Sequence, residues 1–92
     1  MKEFKHAKEL DPAISETQVL SGKAYLEAGQ CQQAIECFKD VILIDQGHAR
    51  AHYNLGRAYL SVGDVALAAK EQRILEDLDG SLAAQLRAMI PR

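Results

Sequence analysis

The feature that most constrains this chain is an internal repeat with a period of 34 residues. When the 92-residue sequence is shifted by 34 positions against itself, residues 15–48 lie over residues 49–82. The shift pairs Gly22 with Gly56, Ala24 with Ala58, Tyr25 with Tyr59, Leu26 with Leu60, Gly29 with Gly63, Ala34 with Ala68 and Asp45 with Asp79. A fixed period of this length is typical of repeat proteins, in which each unit buries its apolar surface against the next.

Each unit has the pattern of two helices joined by a tight turn. The helical segments are SETQVLSGKAYLEAG and QCQQAIECFKDVILID in the first unit, and ARAHYNLGRAYLSVG and DVALAAKEQRILEDLD in the second. Gly29 and Gly63 stand where the first helix should end, and glycine adopts the left-handed conformation of a helix end without steric cost. Ser15 and Gln18 have the spacing of a capping box, which predicts a helix start near residue 15. The pattern predicts an all-α fold of antiparallel helix pairs.

Gly56 lies in the middle of a predicted helix, where glycine costs about 1 kcal/mol relative to alanine. We expect it to face Ala68, the small residue on the other helix of its unit, so that the two backbones approach closely. A leucine at position 56 is then expected to unfold the domain. The rings of Tyr25 and Tyr59 are expected to fill the gap one turn further along, with their hydroxyls near the rim.

These motifs resemble tetratricopeptide repeats. The segments QVLSGKAYLEAGQCQQAIECFKDVILID and AHYNLGRAYLSVGDVALAAKEQRILEDLD carry the family's glycines, tyrosines and alanines, and EFKHAKELDP resembles the second half of such a repeat. The positions that define the repeat are Gly22, Tyr25, Gly29, Ala34, Phe38, Gly56, Tyr59, Gly63 and Ala68. The resemblance implies a right-handed superhelical stack of antiparallel helix pairs, with about two and a half repeats and a C-terminal capping helix.

The resemblance also implies an organisation into a single domain over residues 1–92. Its expected units are residues 1–12, as the second half of a preceding repeat, then repeats at 15–48 and 49–80, and a capping helix at 81–90. Residues Phe4, Ala7 and Leu10 would lack the helix that precedes them in a complete repeat. We therefore expect the sequence to be the C-terminal portion of a longer array, with cover by a second copy as the alternative.

The capping helix is expected because the last repeat departs from the pattern. Gln72 stands where the first unit has Phe38, and Leu75 stands where a small residue is preferred. The tail SLAAQLRAMIPR follows, and Pro91 should stop its helix. Its apolar stripe is formed by Leu82, Leu86, Met89 and Ile90.

In the family that the sequence resembles, the first helices line a concave groove that accepts a peptide from a partner protein. At 100° per residue, Tyr53, Arg57 and Leu60 lie opposite the stripe that faces the partner helix, which is formed by Leu55, Ala58, Tyr59 and Val62. The expected groove residues are Val19, Lys23, Leu26, Arg50, Tyr53, Asn54, Arg57 and Leu60. An alternative is that the apolar members only pack between neighbouring repeats.

Three cations, Lys23, Arg50 and Arg57, make this face locally positive, so an acidic and apolar peptide is the expected partner. Solvated helix charges are the alternative interpretation. A carboxylate clamp of the kind found in some of these repeats is not expected, because only Asn54 matches it. Val19 and Lys23 stand where the clamp has a lysine and an asparagine.

Other chemistry has little support in the sequence. His48 and His52 are four residues apart but lack a third ligand, so no metal site is expected. Cys31 and Cys37 would lie about 240° apart on a helix and are expected to stay reduced. No phosphate-binding loop, nucleophile motif or cofactor motif is present, and we do not expect an enzyme.

Net charge separates the remaining function classes. With 11 basic and 13 acidic residues and a net charge of -2, the chain is not expected to bind nucleic acid or a membrane through bulk charge. The leading hypothesis is a protein-interaction scaffold. Self-association into a homodimer through the N-terminal end is the alternative, and a helical-repeat RNA binder is less favoured because it needs a basic face. Reduced cysteines suggest a cytoplasmic location, although such repeats also occur in exported proteins.

Overall fold

The computed structural model describes residues 12–91, and this part of the chain folds into five α-helices and no strands. The helices are α1 (Pro12–Glu27), α2 (Cys31–Ile44), α3 (Ala49–Ser61), α4 (Val65–Leu78) and α5 (Gly80–Met89). The pairs α1 with α2 and α3 with α4 pack closely, and α3 also packs on both helices of the first pair. The predicted half repeat at the N-terminus, with Phe4, Ala7 and Leu10, lies outside the described residues.

Glycine ends the first helix of each pair, as predicted. Gly29 and Gly63 adopt the left-handed conformation, with φ of 83° and 84°. In the first turn the N–H of Gln30 donates to the carbonyl of Tyr25 at 2.8 Å, and Gly29 donates to Leu26 at 3.1 Å. The second turn repeats both bonds at the equivalent positions. This pair of hydrogen bonds is the Schellman motif, which satisfies carbonyls that the helix end would otherwise leave without a donor.

The N-termini of α3, α4 and α5 are capped by polar side chains. His48 accepts a hydrogen bond from the N–H of Ala51, Asp64 from that of Leu67, and Asp79 from those of Ser81 and Leu82.

The capping box predicted at Ser15 is wrong. Helix α1 already begins at Pro12, so Ser15 lies inside the helix and is buried. Proline is well suited to the first turn of a helix, because the N–H groups of that turn have no acceptor within the helix. The helix therefore starts one turn before the Ser-x-x-Gln pattern.

The core has two connected parts. The larger cluster joins α1, α2, α3 and α4 around the fully buried Phe38, Val19 and Val41. The smaller cluster joins α4 and α5 through Leu75, Ala83 and Leu86. Leu60 and Ile90 pack against both clusters and so connect them.

The predicted stripe of α3 is largely correct. Leu55, Ala58 and Tyr59 are buried in the larger cluster, but Val62 is exposed because the helix ends at Ser61. The two repeat tyrosines also differ, since Tyr25 is 38% exposed whereas Tyr59 is buried.

The nearest side chain to Gly56 is Leu86 of α5, a contact that the sequence analysis did not predict. A Cβ atom on Gly56 would lie 2.5 Å from Cδ2 of Leu86, whereas a Cβ on Gly22 would lie 2.5 Å from the ring of Phe38. The two glycines have different neighbours because the residue equivalent to Phe38 in the second repeat is Gln72. The side chain of Gln72 donates to Glu76 at 2.7 Å. Leu86 of α5 fills the space that a phenylalanine occupies in the first repeat.

Helix α5 takes the position of the first helix of a further repeat. It packs on α4 and α3 in the way that α3 packs on α2 and α1. Leu86 is fully buried, Leu82 and Ile90 are half-buried, and Met89 remains 42% exposed. The predicted apolar stripe therefore covers the end of the second pair, except for Met89, which is available at the surface.

Candidate functional site

The helices that come first in each unit share one surface, which we call the α1–α3–α5 face. A depression of about 420 Å³ lies in this face, and we call it the Arg57 pocket. It is lined by Leu26, Glu27, Arg57, Leu60, Ser61 and Met89. Three of the predicted groove residues, Leu26, Arg57 and Leu60, are thus brought together at one place.

Arg57 is oriented by two neighbours on its own helix. Its Nη1 donates to Oδ1 of Asn54 at 3.2 Å, and its Cζ lies 5.9 Å from the centre of the Tyr53 ring. Asn54 is fixed in turn, because its Nδ2 donates to the carbonyl of Arg50 at 3.0 Å. The bond to Asn54 uses one of five guanidinium N–H groups, so Arg57 keeps donors for a ligand carboxylate.

The other two predicted cations lie further along the same face. Nη1 of Arg50 lies 3.2 Å from Oε2 of Glu16, and this ion pair joins α3 to α1 at a half-exposed site. Such surface pairs contribute little to stability, so a ligand can exchange with Glu16 at small cost. Lys23 is half-buried on α1, one helical turn before Glu27 of the pocket.

The remaining predicted groove residues are packed into the protein to different extents. Val19 is fully buried in the larger core cluster, so its assignment to the groove is not supported by its position. Asn54 is buried and acts on the face through Arg57. Tyr53 packs against the smaller core cluster and Leu60 against both clusters. Packing between neighbouring units therefore accounts for part of the apolar pattern.

The sequence analysis missed a buried ion pair on the side of α3 that points away from the α1–α3–α5 face. His52 and Glu71 are only 5% and 8% exposed, and Nδ1 of His52 lies 2.6 Å from Oε1 of Glu71. The other ring nitrogen, Nε2, lies 2.9 Å from the carbonyl oxygen of Gln46. Because a carboxylate and a carbonyl both accept, the imidazole must donate from both nitrogens and is therefore protonated.

The surroundings of His52 favour this charged form. Burial lowers the pKa of His52, but the hydrogen bonds to Glu71 and Gln46 and the charges of Glu71 and Asp45 outweigh it and raise the pKa above its usual value. The sequence analysis considered His52 only as a metal ligand beside His48, which caps α3 instead. His52 and Glu71 lie 19 residues apart on different helices, so no local spacing pattern connects them.

Several other features of the described part can be placed. Cys31 and Cys37 are half-buried and do not form a disulfide. Burial and the charges of Asp40 and Glu36 raise the pKa of the Cys37 thiol, so it keeps its proton at neutral pH. Between residues 12 and 91, no three histidine, cysteine, aspartate or glutamate side chains are grouped so as to hold a metal ion. Over the same range, no helix combines the length and hydrophobicity required to cross a bilayer.

Helix pairs with glycine-ended turns, repeated at an interval of 34 residues, define a helical-repeat protein. A family model described as Tetratricopeptide repeat matches residues 19–88, which is most of the chain. The chain therefore belongs to the tetratricopeptide repeat family. Repeats of this family are generally protein-interaction modules and typically act as non-enzymatic scaffolds.

Proposed function

We propose that this chain is a scaffold that binds a peptide of a partner protein along the α1–α3–α5 face, in a concave groove lined by the first helix of each repeat. The observation that carries the proposal is the Arg57 pocket. A guanidinium held by Asn54 and Tyr53 lies beside a depression to which three helices contribute side chains.

The composition of the pocket favours an acidic and apolar peptide. Leu26, Leu60 and Met89 offer apolar surface, and Arg57 stands beside them as a planar donor that matches a carboxylate. Glu27 is the acidic member of the lining, and it disfavours a carboxylate on the α1 side. The peptide is therefore proposed to place its acid over α3 and an apolar side chain in the depression.

The size of the depression is consistent with this use. Its volume of about 420 Å³ falls within the range of about 300 to 1,000 Å³ that is typical of ligand-binding clefts. Met89 is more exposed than the other apolar residues of the α5 stripe, and methionine adapts its shape to different partners. These properties support binding of one apolar anchor rather than of a fully enclosed ligand.

The test is a peptide-display selection on the parent chain and on a Lys23→Glu, Arg57→Glu double variant. We expect peptides selected on the parent to be rich in acidic and apolar residues, and to bind the double variant at least about tenfold more weakly because two attractive charges become repulsive. The matched control is Arg73→Glu with Arg87→Glu, which makes the same charge change at two exposed sites outside the pocket.

Circular dichroism must show equal helicity for the three chains before their binding is compared. Equal loss of binding in both double variants would show an effect of net charge alone and would contradict the proposal. Unchanged binding of every selected peptide to the Lys23→Glu, Arg57→Glu chain would contradict it as well.

A further inference from the structure

A second groove lies on the other side of α3, between α2 and α4. These two helices do not pack directly on each other, and α3 forms the floor between them. The opening measures about 600 Å³ and is open to solvent. Its apolar surface comes from Ile42 and Leu43 of α2, Leu55 of α3 and Ile74 of α4. We call it the α2–α4 groove.

Leu43 is the most exposed apolar residue of this groove. Leu43 is 68% exposed, more than any other large hydrophobic residue in the described part of the chain. The buried charged groups of the floor already have partners, because His52 and Glu71 bond to each other and His52 also bonds to Gln46. An occupant therefore gains mainly from covering apolar surface.

The charges at the rim define the chemistry of that occupant. Lys39 of α2 and Lys70 of α4 line the two opposite walls, and both belong to a chain whose net charge is -2. Across the groove the order is therefore cation, apolar surface, cation. An amphipathic helix with an apolar stripe and acidic residues on both flanks has the complementary order.

We propose that the α2–α4 groove binds such an acid-flanked amphipathic helix of a partner protein. On the α2 side the groove runs from Lys39 to Leu43 within the helix, a rise of about 6 Å, and continues to Gln46 in the turn that follows Ile44. Its occupant would present apolar anchors at the i, i+3 or i+4, and i+7 positions of a helix-in-groove complex. This site is separate from the Arg57 pocket, since it uses the opposite side of α3.

The experiment uses two display libraries of 14-residue helical peptides. Both carry leucine, isoleucine or phenylalanine at the anchor positions, and they differ only in whether the flanking positions are acidic or basic. They are panned on the full chain carrying Arg57→Glu, so that the Arg57 pocket is disabled. We expect the acid-flanked library to be enriched at least about tenfold over the basic library.

Peptides from that selection are then measured on chains that also carry Lys39→Glu with Lys70→Glu, or Arg73→Glu with Arg87→Glu. The proposal predicts at least about tenfold weaker binding for the first pair than for the second. It is overturned if neither library is enriched, if both are enriched equally, or if the two pairs bind equally. Failure here leaves the selection on the Arg57 pocket unaffected, because that selection is scored on Lys23 and Arg57.

Discussion

At the scale of single residues, the packing of Gly56 carries the sharpest test of the fold. Leu86 fills the space above this glycine, and the two residues lie on helices that no sequence motif connects. Replacing Gly56 with alanine should gain about 1 kcal/mol of helix propensity. It should lose about 1 to 3 kcal/mol through overpacking against the buried Leu86, so the expected net effect is a loss of up to about 2 kcal/mol.

A double-mutant cycle isolates this contact. In a Leu86→Ala background the clash is absent, and Gly56→Ala should become neutral or stabilising when free energies of unfolding are measured with denaturant. Leu86→Val serves in the same way if the alanine variant is too unstable. An Ala68→Gly background is the control. If Ala68→Gly removed the cost of Gly56→Ala and Leu86→Ala did not, Ala68 rather than Leu86 would be the residue that limits the space at Gly56.

The buried His52 should make stability depend on pH. Its pKa is raised in the folded protein, so its contribution is fully present below the unfolded value of about 6.5 and is lost as the pH rises through the folded value. We expect the free energy of unfolding to fall as the pH rises from the unfolded to the folded pKa of His52, because the ring loses the proton that it donates to Glu71 or Gln46.

The comparison chain for this prediction is His52→Gln, which cannot titrate in that range. Urea unfolding of both chains between pH 5.5 and 9 measures the difference. The parent should lose stability relative to the variant as the pH increases. A constant difference between the two chains would contradict the protonated state assigned to His52.

At the scale of the helices, the glycine turns are the elements most directly encoded. Gly63 has φ of 84°, and a Cβ atom there would meet no neighbour within 4 Å. Gly63→Ala should therefore destabilise the protein by about 1 to 2 kcal/mol through backbone strain alone. Gly80, at the start of α5, is the control, because its φ is not in the left-handed region and its surroundings are equally open.

Denaturant melts of the two alanine variants measure this difference. Gly80→Ala should be neutral or slightly stabilising, since alanine restricts the unfolded chain. Equal stability of the two variants would show that the left-handed turn does not require glycine.

The elements differ in how well the sequence predicts them, for physical reasons. The turns at Gly29 and Gly63 depend on the conformation of one residue, so the 34-residue pattern identified them. The start of α1 did not follow from Ser15, because Pro12 begins the helix one turn earlier. The pairing of His52 with Glu71 depends on how α3 packs on α4, and no spacing along the chain reveals it.

The sequence also predicted some residues of the candidate site and not others. Helical periodicity placed Tyr53, Arg57 and Leu60 on one side of α3, and the structure finds Arg57 and Leu60 in a pocket. Periodicity did not distinguish Val19, which the packing of α1 buries in the core. It also gave no indication that Met89 of α5 would line the pocket, because that requires the position of α5 against α3.

At the scale of the whole molecule, α5 connects stability with recognition. The helix fills the space above Gly56 with Leu86 and contributes Met89 to the Arg57 pocket three residues later. It thus occupies the place of a further first helix and lengthens the α1–α3–α5 face. One ten-residue helix thus supplies both cover for the second helix pair and a third wall for the pocket.

The same arrangement predicts that the pocket can be altered without loss of the fold. Met89→Glu changes an exposed residue of α5, so the melting temperature should stay close to that of the parent. Binding of the peptides selected on the parent should weaken, because the new carboxylate lies beside the site proposed for an acidic ligand. Glutamate at exposed Ala88 is the control, and equal binding of both variants would exclude Met89 from the site.

The most direct test of the account is to locate a bound peptide by isotope-filtered nuclear Overhauser spectroscopy. The peptide is selected on a chain that carries Lys39→Glu with Lys70→Glu, which disables the α2–α4 groove, and the tightest binder is then mixed with the parent chain carrying labelled methyl groups. The account predicts contacts from the peptide to the methyl groups of Leu26, Leu60 and Met89. Contacts confined to Ile42 and Ile74, on the other side of α3, would contradict the assignment of the α1–α3–α5 face as the peptide-binding surface.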